Sequence, residues 1–127
     1  MIDSGQHNES TLSGDALLSV LSALSNPHRL RIIGALTSGR NYVSQLAREL
    51  RISRPLLHMH LRRLEAAGLV LGTLTLSEED GKAMRYFEVV PFALHLTPER
   101  VAEAVQTLTE ASDHSVAQGT QNRPEEE

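Results

Sequence analysis

Arginine is the residue type whose spacing in this sequence points most clearly to a chemical role. Residues 28–63 contain eight arginines and a single acidic residue, Glu49, so this segment carries a formal charge of +7. The whole chain carries −4, which leaves −11 for the remaining residues. An acidic protein that gathers its arginines in one segment has a local positive surface, and polyphosphate chains are the usual partners of such surfaces.

Two short amphipathic helices within residues 43–69 are expected to hold most of these arginines. In the first, apolar residues stand three or four positions apart, at Val43, Leu46, Ala47 and Leu50. In the second, the same spacing is found at Leu57, Leu61 and Leu64. Ser53 can cap the second helix, Pro55 suits its first turn and Gly68 suits its end. Because only residues 51–53 connect the two helices, they must cross steeply, as in a helix-turn-helix.

Two further helices are expected before this pair. Leucine and valine recur with a helical period over about residues 15–25, and Asp15 stands where the positive end of that helix favours a carboxylate. Asn26-Pro27 then ends the first helix and begins a second. Gly39 is expected to stop the second helix, because glycine is common just beyond a helix end.

A hairpin and a last helix are expected after the pair. The leucine-rich and β-branched runs of residues 69–76 and 84–90 flank the turn signal Asp80-Gly81, so they predict a two-stranded β-hairpin. Farther on, Thr97-Pro98-Glu99 supplies a cap, a proline for the first turn and an acidic residue at the positive end of a helix.

The composition is that of one small globular domain. The 127 residues are 40% apolar, and we expect a fold over residues 14–116 between a polar tail, 1–13, and an acidic tail, 117–127. The absence of cysteine excludes disulfides, thiolate metal sites and nucleophilic thiols. Without a long apolar run or a recognisable signal peptide, no membrane association and a cytoplasmic location are expected. No catalytic group has usable spacing, so we predict neither an enzyme nor a cofactor.

The order of these motifs resembles the winged helix-turn-helix of ArsR-type transcriptional regulators over about residues 16–90. The resemblance rests on Asn26-Pro27-His28-Arg29 before Ile32-Ile33, on Leu46-Ala47, Ser53 and His60-Leu61, and on the run Glu65-Ala66-Ala67-Gly68-Leu69-Val70. It implies a mainly α (α+β) fold of about five helices with a β-hairpin wing, and a DNA-binding regulator whose expected mode is repression. The hairpin is also similar to MarR- and TrmB-type proteins, so the subfamily stays open.

The helix over residues 54–67 is expected to enter the major groove of double-stranded DNA. With its leucines toward the core, a helical wheel places on or near the outer side Arg54, Leu56, His58, Met59, Arg62 and Arg63. Arg54, in the first turn, is the candidate for a guanine edge, whereas Arg62 and Arg63 are expected to contact phosphate. Further candidates for DNA contact are Arg40, Arg48, Arg51, Ser53, Lys82 and Arg85.

Two features do not fit a simple basic surface. Leu56 and Met59 either contact thymine methyl groups or, if the wheel is rotated slightly, close the core. The hairpin tip carries Glu78, Glu79 and Asp80, which repel phosphate, so the wing is expected to contribute little to DNA binding or to bend away. Both features keep open an alternative, in which the winged helix is an interaction module that binds another protein.

Many ArsR-type proteins sense metals, so the resemblance raises a metal-responsive sensor as a further alternative. His58 and His60 point about 200° apart on a helix and cannot share an ion, and His60 is expected to be packed or hydrogen-bonded. Other candidate ligands lie near the last helix: His95, Glu99, Glu103, Glu110, Asp113 and His114. Their spacing is not convincing, so we predict no metal site and identify no effector.

The first and last helices hold more apolar surface than a three-helix core with a hairpin can easily cover. The residues concerned are Leu17, Val20, Leu21, Leu24, Val101, Val105 and Leu108. By resemblance these two helices form the dimer interface, so we predict a two-fold homodimer that pairs two recognition helices.

Overall fold

The computed structural model describes residues 12–109, which form five helices and one three-stranded sheet. In chain order the elements are α1 (Gly14–Leu24), α2 (Pro27–Leu36), β1 (Asn41–Tyr42), α3 (Val43–Leu50), α4 (Arg54–Ala66), β2 (Val70–Leu76), β3 (Ala83–Val89) and α5 (Pro98–Val105). The predicted fold class is confirmed. The predicted tails lie outside the described residues except for Leu12 and Ser13. No helix in this part of the chain has the length and apolar composition of a membrane span.

Side-chain caps explain where three of the helices begin. At the start of α2, Asn26 Oδ1 accepts a hydrogen bond from the backbone N–H of His28 at 2.8 Å. Ser53 Oγ caps α4 by accepting from the N–H three residues on, at 3.2 Å, and Thr97 Oγ1 caps α5 in the same way, at 3.0 Å. Each cap satisfies a backbone donor that has no partner within its helix. All three predicted helix starts are confirmed.

The link between α3 and α4 uses a left-handed residue that is not glycine. Arg51 has a φ of 59°, and the N–H of Ile52 reaches back to the carbonyl of Ala47 at 3.2 Å. This closes α3 within one residue and turns the chain sharply toward Ser53. Gly68, with a φ of 79°, performs the same role after α4, as the sequence predicts.

The apolar core lies in the unit Leu18–Leu94 and joins α1, α2, α3, α4 and the sheet. Its least exposed large side chains are Ile32, Leu36, Leu46, Leu57, Leu61, Leu64 and Phe87. The one aromatic ring in this group comes from β3, and the rest are aliphatic, as the low aromatic content predicts. Because α4 contributes three of these side chains, burial of its leucines fixes which way its other side chains point.

The sheet corrects the predicted two-stranded hairpin. β1 pairs with β3, opposite Tyr86 and Phe87, which gives the antiparallel order β1-β3-β2. A two-residue strand has too short a pattern to be recognised from sequence. β2 and β3 begin at Val70 and Ala83, one residue away from the predicted starts. Gly72 stands opposite Phe87, and a Cβ there would lie 2.6 Å from the ring, so this close approach requires glycine.

The second unit of the chain comprises the residues before Leu18 and those after Leu94. In it the N–H of Gly14 donates to Thr107 Oγ1 at 2.7 Å, and Asp15 Oδ1 accepts from the N–H of Thr109 at 3.0 Å. A Cβ on Gly14 would lie within 3.0 Å of Leu108. The first turn of α1 therefore packs closely against the end of α5.

Candidate nucleic-acid interface

The α4 helix separates its apolar and basic side chains onto different faces. Leu57 and Leu64 are fully buried and Leu61 nearly so, whereas Arg54, Arg62 and Arg63 are exposed. The predicted helix over residues 54–67 is thus found as an exposed helix, although it ends at Ala66. Because the leucines hold one side against the core, the arginines are presented to solvent on the other.

Seven of the eight arginines in residues 28–63 are exposed. They are Arg31, Arg40, Arg48, Arg51, Arg54, Arg62 and Arg63. Among the described residues none of them forms an ion pair with a carboxylate; the ion pair found there joins Arg100 and Glu103 on α5. Glu49, the acidic residue of this segment, instead accepts hydrogen bonds from the side-chain amides of Asn41 and Gln45. The exposed positive charge is therefore not neutralised within this part of the chain.

A groove of about 320 Å³ runs beside the first turns of α4. Arg54 and His58 line it from α4, Ser44 from the start of α3, and Met84 and Arg85 from the wing strand β3. Arg54 and His58 are thereby placed near Arg85, so the groove brings predicted DNA-contact residues of α4 and of the wing together. The groove offers cationic groups together with the N-terminal end of α3, a combination that suits an anionic ligand.

Arg40 is held in place by an aromatic ring of the sheet. Its guanidinium carbon lies 4.3 Å from the centroid of the Tyr86 ring, and Tyr42 packs edge-on against the same ring at 5.7 Å. A cation over the face of an aromatic ring is stabilised by the negative charge density there. The predicted phosphate contact Arg40 is therefore less mobile than an unsupported surface arginine.

The two apolar residues predicted near the outer side of α4 differ from each other. Met59 is exposed, as the helical wheel predicts. Leu56 is only half exposed, because it lies next to the buried face that includes His60. It does not pack against the central core cluster. Neither residue is part of the core, so the alternative that both close the core is wrong.

The exposed surface of the wing contains leucines and more carboxylates than cations. Leu74 and Leu76 in β2 are 63% and 68% exposed, and Leu71 is 50% exposed. The acidic residues Glu78, Glu79 and Asp80 at the tip are also exposed. Of the two wing cations, Lys82 is exposed near this tip, and Arg85 has its guanidinium carbon 5.2 Å from the centroid of the Phe87 ring.

One arginine of the basic segment is not on the surface. Arg29 is 9% exposed; its Nε donates to the carbonyl of Ala23 at 2.6 Å, and its Nη1 lies 3.0 Å from Nδ1 of His60. The surface charge of the segment is therefore lower than the sequence count. Arg29 lies three residues before Ile32 and seven before Leu36, so helical spacing places it on the buried face of α2. This spacing is the sequence signal for its burial, which a count of charges does not include.

His60 is buried, as the sequence analysis expects of a packed or hydrogen-bonded residue. Burial lowers the pKa of His60 below its ordinary value of 6.5, and the nearby charges of Arg29, His28 and Arg63 lower it further. Its Nδ1 faces Arg29, and its buried Nε2 has no hydrogen-bond partner among the described residues. The ring is therefore neutral at neutral pH.

The candidate metal ligands are not brought together in the described part of the chain. His60 is buried beside Arg29, whereas His58 lines the groove. Within residues 12–109 no three histidine, aspartate or glutamate side chains are placed to share an ion. Glu110, Asp113 and His114 lie outside the described residues.

The residues predicted for dimerisation differ in exposure. Val101 and Val105 on α5 are exposed, with Val105 at 57%, and so is Leu108, three residues beyond the end of the helix. On α1, however, Leu17 and Val20 are buried within the chain, and Leu21 and Leu24 are half-buried. Leu17 and Val20 are thus not free to contact a partner as the helical pattern predicts. The exposed leucine of α1 is instead Leu18.

Comparison with known proteins identifies relatives of this chain. A family model described as "Bacterial regulatory protein, arsR family" matches residues 26–71, which run from the cap of α2 into β2. The uncharacterized HTH-type transcriptional regulator MJ0229 of Methanocaldococcus jannaschii is 39% identical over 77 residues, covering 61% of this chain and 79% of the relative. The HTH-type transcriptional repressor SmtB of Mycobacterium tuberculosis is 32% identical over 90 residues, covering 71% of this chain and 63% of SmtB.

A solved structure shows the same fold. It is the homodimeric winged helix-turn-helix DNA-binding domain Mb0332 of Mycobacterium bovis, a possible ArsR-family transcriptional regulator. Its TM-score to this chain is 0.51 at 20% sequence identity, and the match covers 86% of this chain and 89% of that one. At this identity the likeness shows the arrangement of helices and wing.

Proposed function

Since this chain belongs to the arsR family of bacterial regulatory proteins and is a DNA-binding transcriptional regulator, we propose that it is a homodimeric repressor that inserts α4 into the major groove of a specific operator. Binding of such a dimer occludes promoter DNA. Repression is supported by the relative SmtB, which is an HTH-type transcriptional repressor.

The observation that carries this proposal is the row of exposed arginines on α4, which form no ion pair within residues 12–109 and lie opposite its buried leucines. A helix of this kind fits the major groove, and arginine is the side chain that best bridges O6 and N7 of guanine. Arg54 stands in the first turn, where recognition helices contact base edges. Arg62, two turns later, is exposed and suits a phosphate.

The remaining arginines near the turn set the register on the duplex. Arg48 and Arg51 are exposed at the end of α3, and Arg40 is supported by Tyr86. Such residues contact phosphate without reading sequence. Met59, exposed on α4, and the half-exposed Leu56 are the candidates for contact with thymine methyl groups.

Dimerisation is supported by the exposed stripe of α5. Val101 and Val105 are four residues apart and lie on one face of α5, Leu108 follows just beyond its end, and all three leave apolar surface in water. A two-fold pair of these chains would present two α4 helices to half-sites about one DNA turn apart. The solved domain Mb0332 is a homodimer of the same fold.

The test of this function is selection of bound duplexes from random DNA by the full chain. We expect one enriched sequence with two related half-sites, and protection of a single site of that length from nuclease. The Arg54→Ala variant should enrich a sequence that is relaxed at one position in each half-site. Enrichment of no sequence, or of an unrepeated single half-site bound by a monomer, would contradict the proposal.

The location that fits a regulator of promoter DNA is the cytoplasm, where that DNA is accessible. An effector, metal or small molecule, is not required by the proposed action. Elemental analysis of the purified chain, at less than one metal ion per two chains, would agree with a regulator that holds no metal.

A second candidate role, contact with another protein, is favoured by the wing. Leu74 and Leu76 are the most exposed large apolar side chains in residues 12–109, and the neighbouring carboxylates disfavour DNA. A winged-helix interaction module would bind its partner protein through the Leu74 and Leu76 surface, and the arginines of α4 would contact no DNA. Binding of the selected duplex by the Leu74→Ser and Leu76→Ser variants, at the affinity of the parent chain, would place DNA recognition outside this surface.

A further inference from the structure

A buried arginine that has no acidic partner in the described part of the chain lies against α4. Arg29, on α2, donates through Nε to the carbonyl of Ala23 at 2.6 Å and through Nη1 toward His60 Nδ1 at 3.0 Å. Among the described residues it forms no ion pair. Arginine is almost never this buried unless it is paired, because the cost of removing its charge from water must be offset. The carbonyl of Ala23 and Nδ1 of His60 therefore offset much of the cost of burying this charge, and the loss of either would destabilise the buried guanidinium.

This contact fixes the protonation state of His60. A guanidinium group only donates hydrogen bonds, so Nδ1 of His60 must be an unprotonated acceptor. The ring proton is then on Nε2, which is buried and without a hydrogen-bond partner among residues 12–109. The imidazole has one arrangement that satisfies Arg29, and it is the neutral one.

We propose that His60 is a positioning residue for the DNA-contacting face of α4, and that uptake of a proton by His60 breaks its contact with Arg29 and weakens DNA binding. The inference rests on the proposed function, since it concerns the regulation of that same surface. It assigns Arg29, which the sequence places among the surface charges, to the support of the helix instead.

The surroundings of His60 oppose its positive form from each side. From α2, Arg29 and His28 face it, with the His28 ring centroid 5.2 Å away. From its own helix, Arg63 adds a third nearby cation, and α1 contributes to this cluster the carbonyl of Ala23, which already accepts from Arg29. No carboxylate is among the groups that shift the pKa of His60. A proton on Nδ1 would both remove the acceptor and place two cations in contact.

The direction and size of the pH effect follow from this. We call the contact between Arg29 Nη1 and His60 Nδ1 the clamp. Because the pKa of His60 is lowered, the clamp is complete at and above neutral pH. It is lost as the pH falls below 6.5 through the pKa of His60 in the folded protein. If only the neutral form holds α4 correctly, the apparent DNA affinity falls by up to about tenfold per pH unit below that pKa.

The decisive variant is His60→Asn. The Asn amide oxygen can occupy the position of Nδ1 and accept from Arg29, but it does not titrate. The affinity of both chains for a duplex selected from random DNA is measured by fluorescence anisotropy between pH 8 and pH 5. Because both chains keep His28 and His58, the effects of those residues cancel in the ratio of affinities. We expect similar affinities at pH 8, and binding by the parent chain that weakens relative to the variant by up to about tenfold per pH unit once the pH falls below the pKa of His60. Parallel pH curves would overturn the inference.

A second measurement needs neither DNA nor that variant to fold. Nitrogen-15 NMR of the imidazole in the parent chain should show the Nε2–H tautomer, with a pKa below 6.5. In the Arg29→Gln variant this pKa should rise, since the guanidinium charge is gone. An Nδ1–H tautomer, or an unchanged pKa in Arg29→Gln, would refute the clamp. A chain with the expected titration that bound no duplex at any pH would instead refute the proposed function and the DNA linkage, leaving His60 as a support of the fold.

Discussion

The helix α4 and the β2–β3 wing are both rich in leucine, yet their exposed surfaces differ in chemistry. In α4 three of the four leucines, Leu57, Leu61 and Leu64, lie on one face and are buried, so the arginines occupy the outer surface. In the wing, Leu74 and Leu76 extend beyond the core, and the tip carries three carboxylates. A helix can turn all of its leucines to one side, whereas a two-stranded hairpin that leaves the core has no apolar surface to pack against.

This difference leads us to expect that affinity for DNA comes from the helix-turn-helix. The arginines of α3 and α4, which form no ion pair within residues 12–109, should attract phosphate, and Glu78, Glu79 and Asp80 should repel it. In the proposed complex the wing would add shape and the two cations Lys82 and Arg85, but not the main electrostatic attraction. The following substitutions compare the two regions, beginning with the largest expected effect.

Replacing a leucine should lower the free energy of unfolding strongly in α4 and hardly at all in the wing. Leu57→Ala removes a fully buried side chain and leaves a cavity, so the free energy of unfolding should fall by about 2 to 5 kcal/mol. Leu74→Ala, in the wing, should change it by less than about 0.5 kcal/mol. Urea denaturation of both variants measures this. Equal losses would mean that the wing leucine is covered by a partner in solution.

Replacing an arginine should separate base reading from peripheral contact. Arg54→Ala should cost about 1 to 3 kcal/mol of binding free energy for the selected duplex and relax preference at one base position. Arg85→Ala, on the other side of the same groove, should cost less and leave sequence preference intact, because its guanidinium lies over Phe87. Competition binding against duplexes altered at single positions checks both. A larger loss for Arg85→Ala would move recognition to the wing.

Replacing a serine should test the local order of each region. Ser53→Ala removes the cap of α4 and should lower the free energy of unfolding by about 1 kcal/mol. In the wing turn Ser77 Oγ accepts a hydrogen bond from the N–H of Glu79 at 3.3 Å. Because this bond caps no helix and lies at the surface, Ser77→Ala is expected to change the free energy of unfolding by no more than about 0.5 kcal/mol. Thermal unfolding followed by circular dichroism compares them. A Ser77 loss as large as that of Ser53 would show that the wing turn is needed for folding.

Neutralising the wing tip should have the smallest effect. The triple variant Glu78→Gln, Glu79→Gln, Asp80→Asn removes repulsion while Asn can keep the acceptor for the N–H of Lys82. We expect DNA binding to strengthen by a few fold at low salt and by nothing measurable at high salt, where exposed charges are screened. Weaker binding by this variant at low salt would show that the carboxylates contact a cationic partner rather than repel DNA.

Local chemistry made much of this structure predictable from sequence. Asn26, Ser53 and Thr97 cap the helices they precede because a short oxygen-bearing side chain satisfies free N–H groups wherever the chain continues as a helix. The spacing of the leucines in α4 gave its buried face, and Asp80-Gly81 lies in the turn between the wing strands, with Gly81 at a φ of 71°.

The features that escaped prediction depend on distant residues. β1 exists because Asn41 and Tyr42 pair with β3, more than 40 positions along the chain. The burial of Arg29 depends on hydrogen bonds to Ala23 and His60, and a count of charges contains no information about either contact. Leu17 and Val20 are covered within the chain although their helical pattern suggested an interface. In each case the strand pairing or the burial depends on tertiary contacts, which the periodicity and charge of the sequence do not specify.

The salt dependence of binding to the selected duplex tests most directly whether the arginines of the helix-turn-helix hold DNA. Affinity is measured between about 50 and 200 mM salt for the parent chain, for Arg62→Ala with Arg63→Ala, and for Lys82→Ala as the wing control. The parent affinity should fall steeply, by about a thousandfold if six or more phosphates are contacted, and the double variant should have a logarithmic slope smaller by about 2. A parent affinity that stayed constant across this range, or a slope unchanged by the double variant, would contradict the assignment.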